Sequence, residues 1–140
     1  KEEMKKKLGE AKIHEFRRSW DVAPDPLSKN NPYHPLNIEI YKDIPKDKIP
    51  DTESLKNTYE RVIKYFEKNI NDKIDKNVLV AAHGNSIRAL CKYLFKINEK
   101  DISKLEIPTG NPLVLEFNNR ILKNARYLDK DRAKNLIVFS

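Results

Sequence analysis

The sequence predicts an α/β fold, and three observations carry the prediction. Leu55, Tyr59, Val62, Ile63, Phe66, Ile70 and Ile74 recur at helical spacing on one face. Val78-Leu79-Val80-Ala81-Ala82 is apolar throughout, as expected of a strand buried on both faces of a sheet. A second helical pattern, Ile87, Leu90, Cys91, Leu94 and Phe95, follows that run directly.

Taken in order, residues 2–16 read as a helix in which Met4, Leu8, Ala11 and Phe16 form a partial apolar stripe among many charges, so it should lie at a surface. Residues 19–51 contain Pro24, Pro26, Pro32, Pro35, Pro45 and Pro50, a density that forbids a long helix or a central strand. Loops of this length are uncommon and are often functional. Asp51 or Thr52 is expected to cap the helix that follows. After the 78–82 strand and an 86–95 helix, Asn98 can cap a short helix over Glu99 to Leu105. Pro108-Thr109-Gly110-Asn111-Pro112 is a turn cluster. Leu113 to Phe117 reads as a strand, Asn118-Asn119 as a hairpin-type turn, and Ile121 to Tyr127 as the partner strand. The tail, Leu136-Ile137-Val138-Phe139, is apolar and fits no single class. The strand supply is thin for a run as apolar as 78–82, so residues 1–140 are expected to form only part of one domain.

Composition narrows the function classes. The chain has 140 residues, 39% hydrophobic and 35% charged, which suits a charge-rich surface around a modest core. No apolar run approaches membrane-spanning length and no signal-peptide pattern opens the chain, so no membrane association is expected. Cys91 is the one cysteine. It excludes an intrachain disulfide, falls on an apolar helix face, and reads as a small buried hydrophobe. A cytoplasmic location is expected. His14, His34 and His83 share no metal-ligand spacing, so no metal is expected. The net charge of +7 fits nucleic acid, an anionic surface or a small anionic substrate. The lysines are spread along the chain, and the one dense block is Lys5-Lys6-Lys7. No zinc-finger or aromatic RNA-binding pattern accompanies them. A solvated lysine-rich face is the preferred reading, without nucleic acid.

Ala82-His83-Gly84-Asn85-Ser86 carries the most chemistry. Strand, tight turn and helix put a histidine and several backbone N–H groups at a helix N-terminus, where the dipole favours anions. Gly84 would permit close backbone approach or a positive φ. On these residues alone, a plain polar connection fits equally well. Arg17-Arg18 offers two planar, permanently charged forks suited to phosphate and carboxylate oxygens. The alternative is a solvated helix end.

Taken together, Lys1 through Gly9, Arg17-Arg18-Ser19-Trp20-Asp21-Val22, Asp51-Thr52-Glu53-Ser54-Leu55-Lys56, Ala81-Ala82-His83-Gly84-Asn85-Ser86-Ile87-Arg88 and Pro108-Thr109-Gly110-Asn111-Pro112 resemble the C-terminal part of the cofactor-dependent phosphoglycerate mutases, in the histidine phosphatase superfamily. The segments occur in that family's order and at nearly its spacing. The resemblance fades after Phe117.

The resemblance implies a three-layer α/β/α sandwich of the phosphoglycerate mutase type, incomplete because the N-terminal part is absent. It implies interconversion of 3-phosphoglycerate and 2-phosphoglycerate, in glycolysis and gluconeogenesis, through a phosphohistidine intermediate primed by 2,3-bisphosphoglycerate. His83 matches the histidine that stabilises the phosphoryl group in transfer. Gly84 and Asn85 match positions lining the same pocket, and Arg17 and Arg18 match the pair that holds the substrate's anionic groups. Lys1 matches a substrate-binding lysine by its distance to Arg17. Arg88 stays outside this set, as a supporting or surface residue. The family's nucleophile lies in an Arg-His-Gly motif that residues 1–140 do not contain. The chain alone is therefore expected to be inactive, and the whole enzyme to be a homo-oligomer acting on a small phosphorylated substrate. Two further readings are a phosphatase of the same superfamily that hydrolyses a small phosphate ester, and a non-enzymatic module binding anions or nucleic acid through its charge.

Overall fold

The computed structural model describes residues 2–133. Their order is α1 (Glu2–Arg18), α2 (Leu55–Asn69), α3 (Gly84–Leu94), β1 (Leu113–Asn118) and β2 (Ile121–Tyr127), with short 3-10 turns between them. The Leu136-to-Ser140 tail lies outside the described residues.

The centre of the fold is the pairing of α2 with α3. Leu55, Ala89, Cys91, Ile97, Ile102 and Leu105 form the buried core, with Trp20, Tyr59, Val62, Ile87, Phe95, Ile107 and Leu113 packed against it. Phe66 and Tyr93 meet edge to face across the helix pair, with ring centroids 6.0 Å apart. Lys92 Nζ lies over the Trp20 ring, 4.5 Å from its centroid, so its charge faces the π cloud. The apolar stripe read from the sequence of α2 is thus the one that is buried.

Several expectations are corrected at the element ends. Ser54, and neither Asp51 nor Thr52, caps α2. Its Oγ accepts from the Asn57 N–H at 3.2 Å, and Asn57 Oδ1 accepts from the Ser54 N–H at 3.0 Å. This reciprocal capping box satisfies two otherwise orphaned donors. The helix ends at Asn69 and gives way to a 3-10 turn over Asn71–Lys73, so Ile74 lies beyond it. α1 is longer than expected and is broken at Gly9, which takes φ 78 and ψ 158, a conformation outside the helical region. The helix expected over Glu99 to Leu105 shrinks to a 3-10 turn, Ile102–Lys104.

The largest correction concerns Val78 to Ala82. The run is not a strand, and Val78, Leu79 and Val80 are exposed, Leu79 by 93%. A strand exists only by pairing. Among the described residues the two strands that form are used up on each other, in one antiparallel sheet. The hairpin runs from Leu113 opposite Tyr127 to Asn118 opposite Ile121, with a bulge that leaves Lys123 unpaired. Its turn residues are Asn119 and Arg120, at φ 48 and 62, one position later than expected because β1 continues through Asn118.

The proline-rich segment leaves the end of α1 and returns to the start of α2 as a closed loop. The Leu27 N–H donates to Asp51 O at 3.3 Å, and Thr52 Oγ1 donates to Pro24 O at 2.6 Å. His34 sits fully buried inside it. His34 Nδ1 accepts from the Leu36 N–H at 3.1 Å, which requires the proton on Nε2, 3.2 Å from Asp51 Oδ1. The Pro108-to-Pro112 turn is equally tied down. The buried Asn111 exchanges two hydrogen bonds with the Asp129 backbone, at 2.9 and 3.0 Å, and Arg132 donates to Thr109 O and Gly110 O.

Candidate active site

His83 is the N-cap of α3, in extended conformation, and supplies no side-chain cap. The first intrahelical bond runs from the Ile87 N–H to His83 O at 3.0 Å. The N–H groups of Gly84, Asn85 and Ser86 precede it and belong to the orphan donors of a helix start. His83, Gly84 and Asn85 are all exposed. An exposed histidine thus stands at the N-cap of a helix whose first N–H dipoles are aligned along the axis and uncapped, an end that suits an anion.

Gly84 corrects one half of its sequence reading. It is the first residue of α3, and its φ is not positive. A Cβ placed there would meet nothing within 4 Å. Neither backbone conformation nor packing among the described residues demands glycine. The other half of the reading, close approach by an outside group, is the one the geometry leaves room for.

Asn85 has a fixed partner. Its Oδ1 accepts from Arg88 Nη1 at 2.5 Å, and Arg88 Nε donates to Leu105 O at 2.9 Å. Arg88 is 5% exposed and lies inside the core. The adjoining residue, Glu106, accepts from the Tyr127 hydroxyl through its carbonyl at 3.2 Å and pairs with Arg18 through its carboxylate at 2.6 Å. An unbroken series of bonds thus runs from Arg18 through residues 105–106 and Arg88 to Asn85. Burial pushes the Tyr127 hydroxyl up to about 12, and the Cys91 thiol likewise to about 12, with Arg88 pulling each the other way. Cys91 is the inert buried hydrophobe that its sequence position implies.

Arg18 is half-buried and holds a protein carboxylate, Glu106, a partner invisible in the sequence. Next to it, Ser19 Oγ is buried without a hydrogen-bond partner among the described residues. Arg17 lies on α1 with its side chain outside the described residues, and Lys1 lies outside them altogether. Arg88 is the residue that sequence reading left aside and the structure brings in. Its one local signal was the three-residue spacing from Asn85 on a helix. Among the described residues no group of three or more His, Cys, Asp or Glu side chains is placed to hold a metal, and no helix is long and apolar enough to cross a membrane.

The model of the histidine phosphatase superfamily (branch 1) matches residues 28–129, a span that contains His83, Gly84, Asn85 and Arg88. A 2,3-bisphosphoglycerate-dependent phosphoglycerate mutase of Pelagibacter ubique (strain HTCC1062) is 63% identical over 142 residues, covering 99% of this chain and 60% of the relative. The enzyme of the same name from Maricaulis maris (strain MCS10) is 45% identical over 140 residues, covering 97% of this chain and 58% of the relative. That from Hydrogenobaculum sp. (strain Y04AAS1) is 44% identical over 141 residues, covering 98% and 57%. The chain spans less than two thirds of the length of these relatives. With that model matched over residues 28–129, the α3 start among them, the chain belongs to the histidine phosphatase superfamily, branch 1.

Proposed function

We propose that this chain forms part of a 2,3-bisphosphoglycerate-dependent phosphoglycerate mutase, and that His83, Gly84 and Asn85 bind the phosphoryl group in transfer. The observation that carries the reading is the exposed, uncapped start of α3 with His83 beside it. Relatives of that name at 63% and 45% identity support it.

Phosphoryl transfer needs positioning and charge stabilisation more than covalent help from the protein. The N–H groups of Gly84 and Asn85 are fixed by the helix and need no reorganisation as charge builds on the phosphoryl oxygens. His83, the N-cap of the same helix, would add an imidazole donor. The open space at Gly84 leaves room for a phosphoryl group, and 2,3-bisphosphoglycerate would supply the phosphoryl that primes the nucleophilic histidine. Arg17, Arg18 and Lys1 are proposed to hold the substrate's remaining anionic groups. Arg18 would then exchange Glu106 for the ligand, or share its fork between the two. The nucleophilic histidine must come from outside residues 1–140, which contain no Arg-His-Gly. The site is proposed to work in the cytoplasm, without metal, nucleic acid or membrane, in a homo-oligomer.

The test is His83→Ala in the whole enzyme, assayed with 3-phosphoglycerate. Loss of a transition-state donor predicts turnover lower by about 10²–10³-fold. Stability should change by less than about 0.5 kcal/mol, because the side chain is exposed and caps nothing. Near-normal turnover would overturn the assignment. Release of inorganic phosphate in place of 2-phosphoglycerate would identify a phosphatase instead.

A further inference from the structure

We propose that Arg88 is a positioning residue: it holds the Asn85 amide with its nitrogen turned toward the bound anion. The inference rests on the reading of the α3 start as a phosphoryl site.

The argument starts from the donor inventory. Arginine has only N–H donors and can bond an amide only at its oxygen. The contact of Arg88 Nη1 with Asn85 Oδ1 therefore decides which way the amide faces. With the oxygen turned inward, both Nδ2 hydrogens point away from the guanidinium, from an exposed residue in the first turn of α3. That is the orientation an anion requires. The opposite orientation would put a carbonyl oxygen against phosphoryl oxygens and two sets of donors against each other.

Arg88 can impose this because it is itself held. It is buried, and its Nε edge donates to the carbonyl of Leu105, a core residue 2% exposed. The planar guanidinium spans two acceptors at once, so a displacement of Asn85 must distort a bond into the core. The same bond ties the α3 start to residues 105–106, where Arg18 is anchored through Glu106. Arg88 thereby sets the amide donor and braces the segment whose Glu106 carboxylate pairs with Arg18, a second candidate anion ligand.

The experiment is a double-mutant cycle in the whole enzyme with Asn85→Ala, Arg88→Lys and the pair, reading KM and kcat for 3-phosphoglycerate alongside unfolding. Lysine keeps the charge but loses the rigid planar fork that holds the two acceptors in fixed geometry. Each single variant is expected to raise KM about tenfold to a hundredfold, the value of one hydrogen bond to a charged group, with little change in kcat. The pair should bind no worse than Asn85→Ala alone, whereas the stability loss from Arg88→Lys should persist in both backgrounds. Additive KM effects would overturn the proposal, as would an unchanged KM in Arg88→Lys. If Arg88→Lys fails to fold, Asn85→Asp decides: it keeps an oxygen for Arg88 and puts a second, charged oxygen where Nδ2 stood. A KM raised at least as far as in Asn85→Ala supports the orientation, and an unchanged KM overturns it. His83→Ala keeps the two readings apart. Full activity there refutes the site itself, while a crippled His83→Ala beside an unaffected Arg88→Lys refutes only the role of Arg88.

Discussion

Replacing Gly84 by alanine should move stability and substrate affinity in opposite directions. The residue is helical and its added methyl would meet nothing within 4 Å, so the folded state bears no strain. The unfolded chain loses glycine's extra freedom, which stabilises the protein by about 0.4–1 kcal/mol. With a urea slope of roughly 1–3 kcal/mol/M, the unfolding midpoint should rise by a few tenths of a molar unit. The same methyl would occupy the space through which an anion reaches the helix N–H groups. Losing one hydrogen bond to a charged group costs about 1.5–3 kcal/mol, so KM for 3-phosphoglycerate should rise about tenfold or more. Equilibrium urea unfolding and a coupled mutase assay on the whole enzyme read the two effects separately. A stabilised variant with unchanged KM would mean that the open space at Gly84 is not where the anion sits. A destabilised variant would mean that something packs there.

Three further outcomes follow from the packing. Ser54→Ala removes the side-chain half of the capping box of α2, leaving the Asn57 N–H without its acceptor, and should cost about 0.5–2 kcal/mol in urea unfolding; an unchanged midpoint would refute the cap. Cys91 and Tyr127 both ionise at about 12 in the folded state, against ordinary values of 9.0 and 10.0. The unfolded chain therefore releases these protons first. Their contribution to stability is full at neutral pH and drains away as pH rises from about 9 toward about 12. Unfolding midpoints measured across that range should fall, and a flat profile would refute the burial of both groups. A thiol reagent at mildly alkaline pH should label Cys91 only after unfolding.

How much of this was legible in the sequence depends on what each feature answers to. The faces of α2 and α3 and the β1–β2 hairpin follow from periodicities within a few turns of chain, and all three are present. Ends were harder. The cap at Ser54 depends on Asn57 as its reciprocal partner, where the common signature has Glu or Gln, and the hairpin turn lies one residue later because Asn118 still pairs with Ile121. The 78–82 run shows the limit of composition, since a strand's existence depends on a neighbour and not on its own residues. At the candidate site, His83, Gly84 and Asn85 stand together in the sequence as one short motif. The bond from Arg88 to Leu105 and the pairing of Arg18 with Glu106 were not legible there, because each joins residues far apart in the chain.

The exposed run between α2 and α3 also bears on the order in which the molecule assembles. The two helices pack on each other although the segment joining them has no ladder of its own. Closing so short a connection costs little chain entropy, and the packing that results joins residues near one another in sequence. The helix pair is therefore expected to form early, with the Val78-to-Ala82 backbone left as an open template to be paired last, if a strand is offered to it. Hydrogen exchange would record that sequence of events as a gradient, slow in the amides that face across α2 and α3 and fast along the tether between them. Slow exchange at Leu79 would show that the tether is already held.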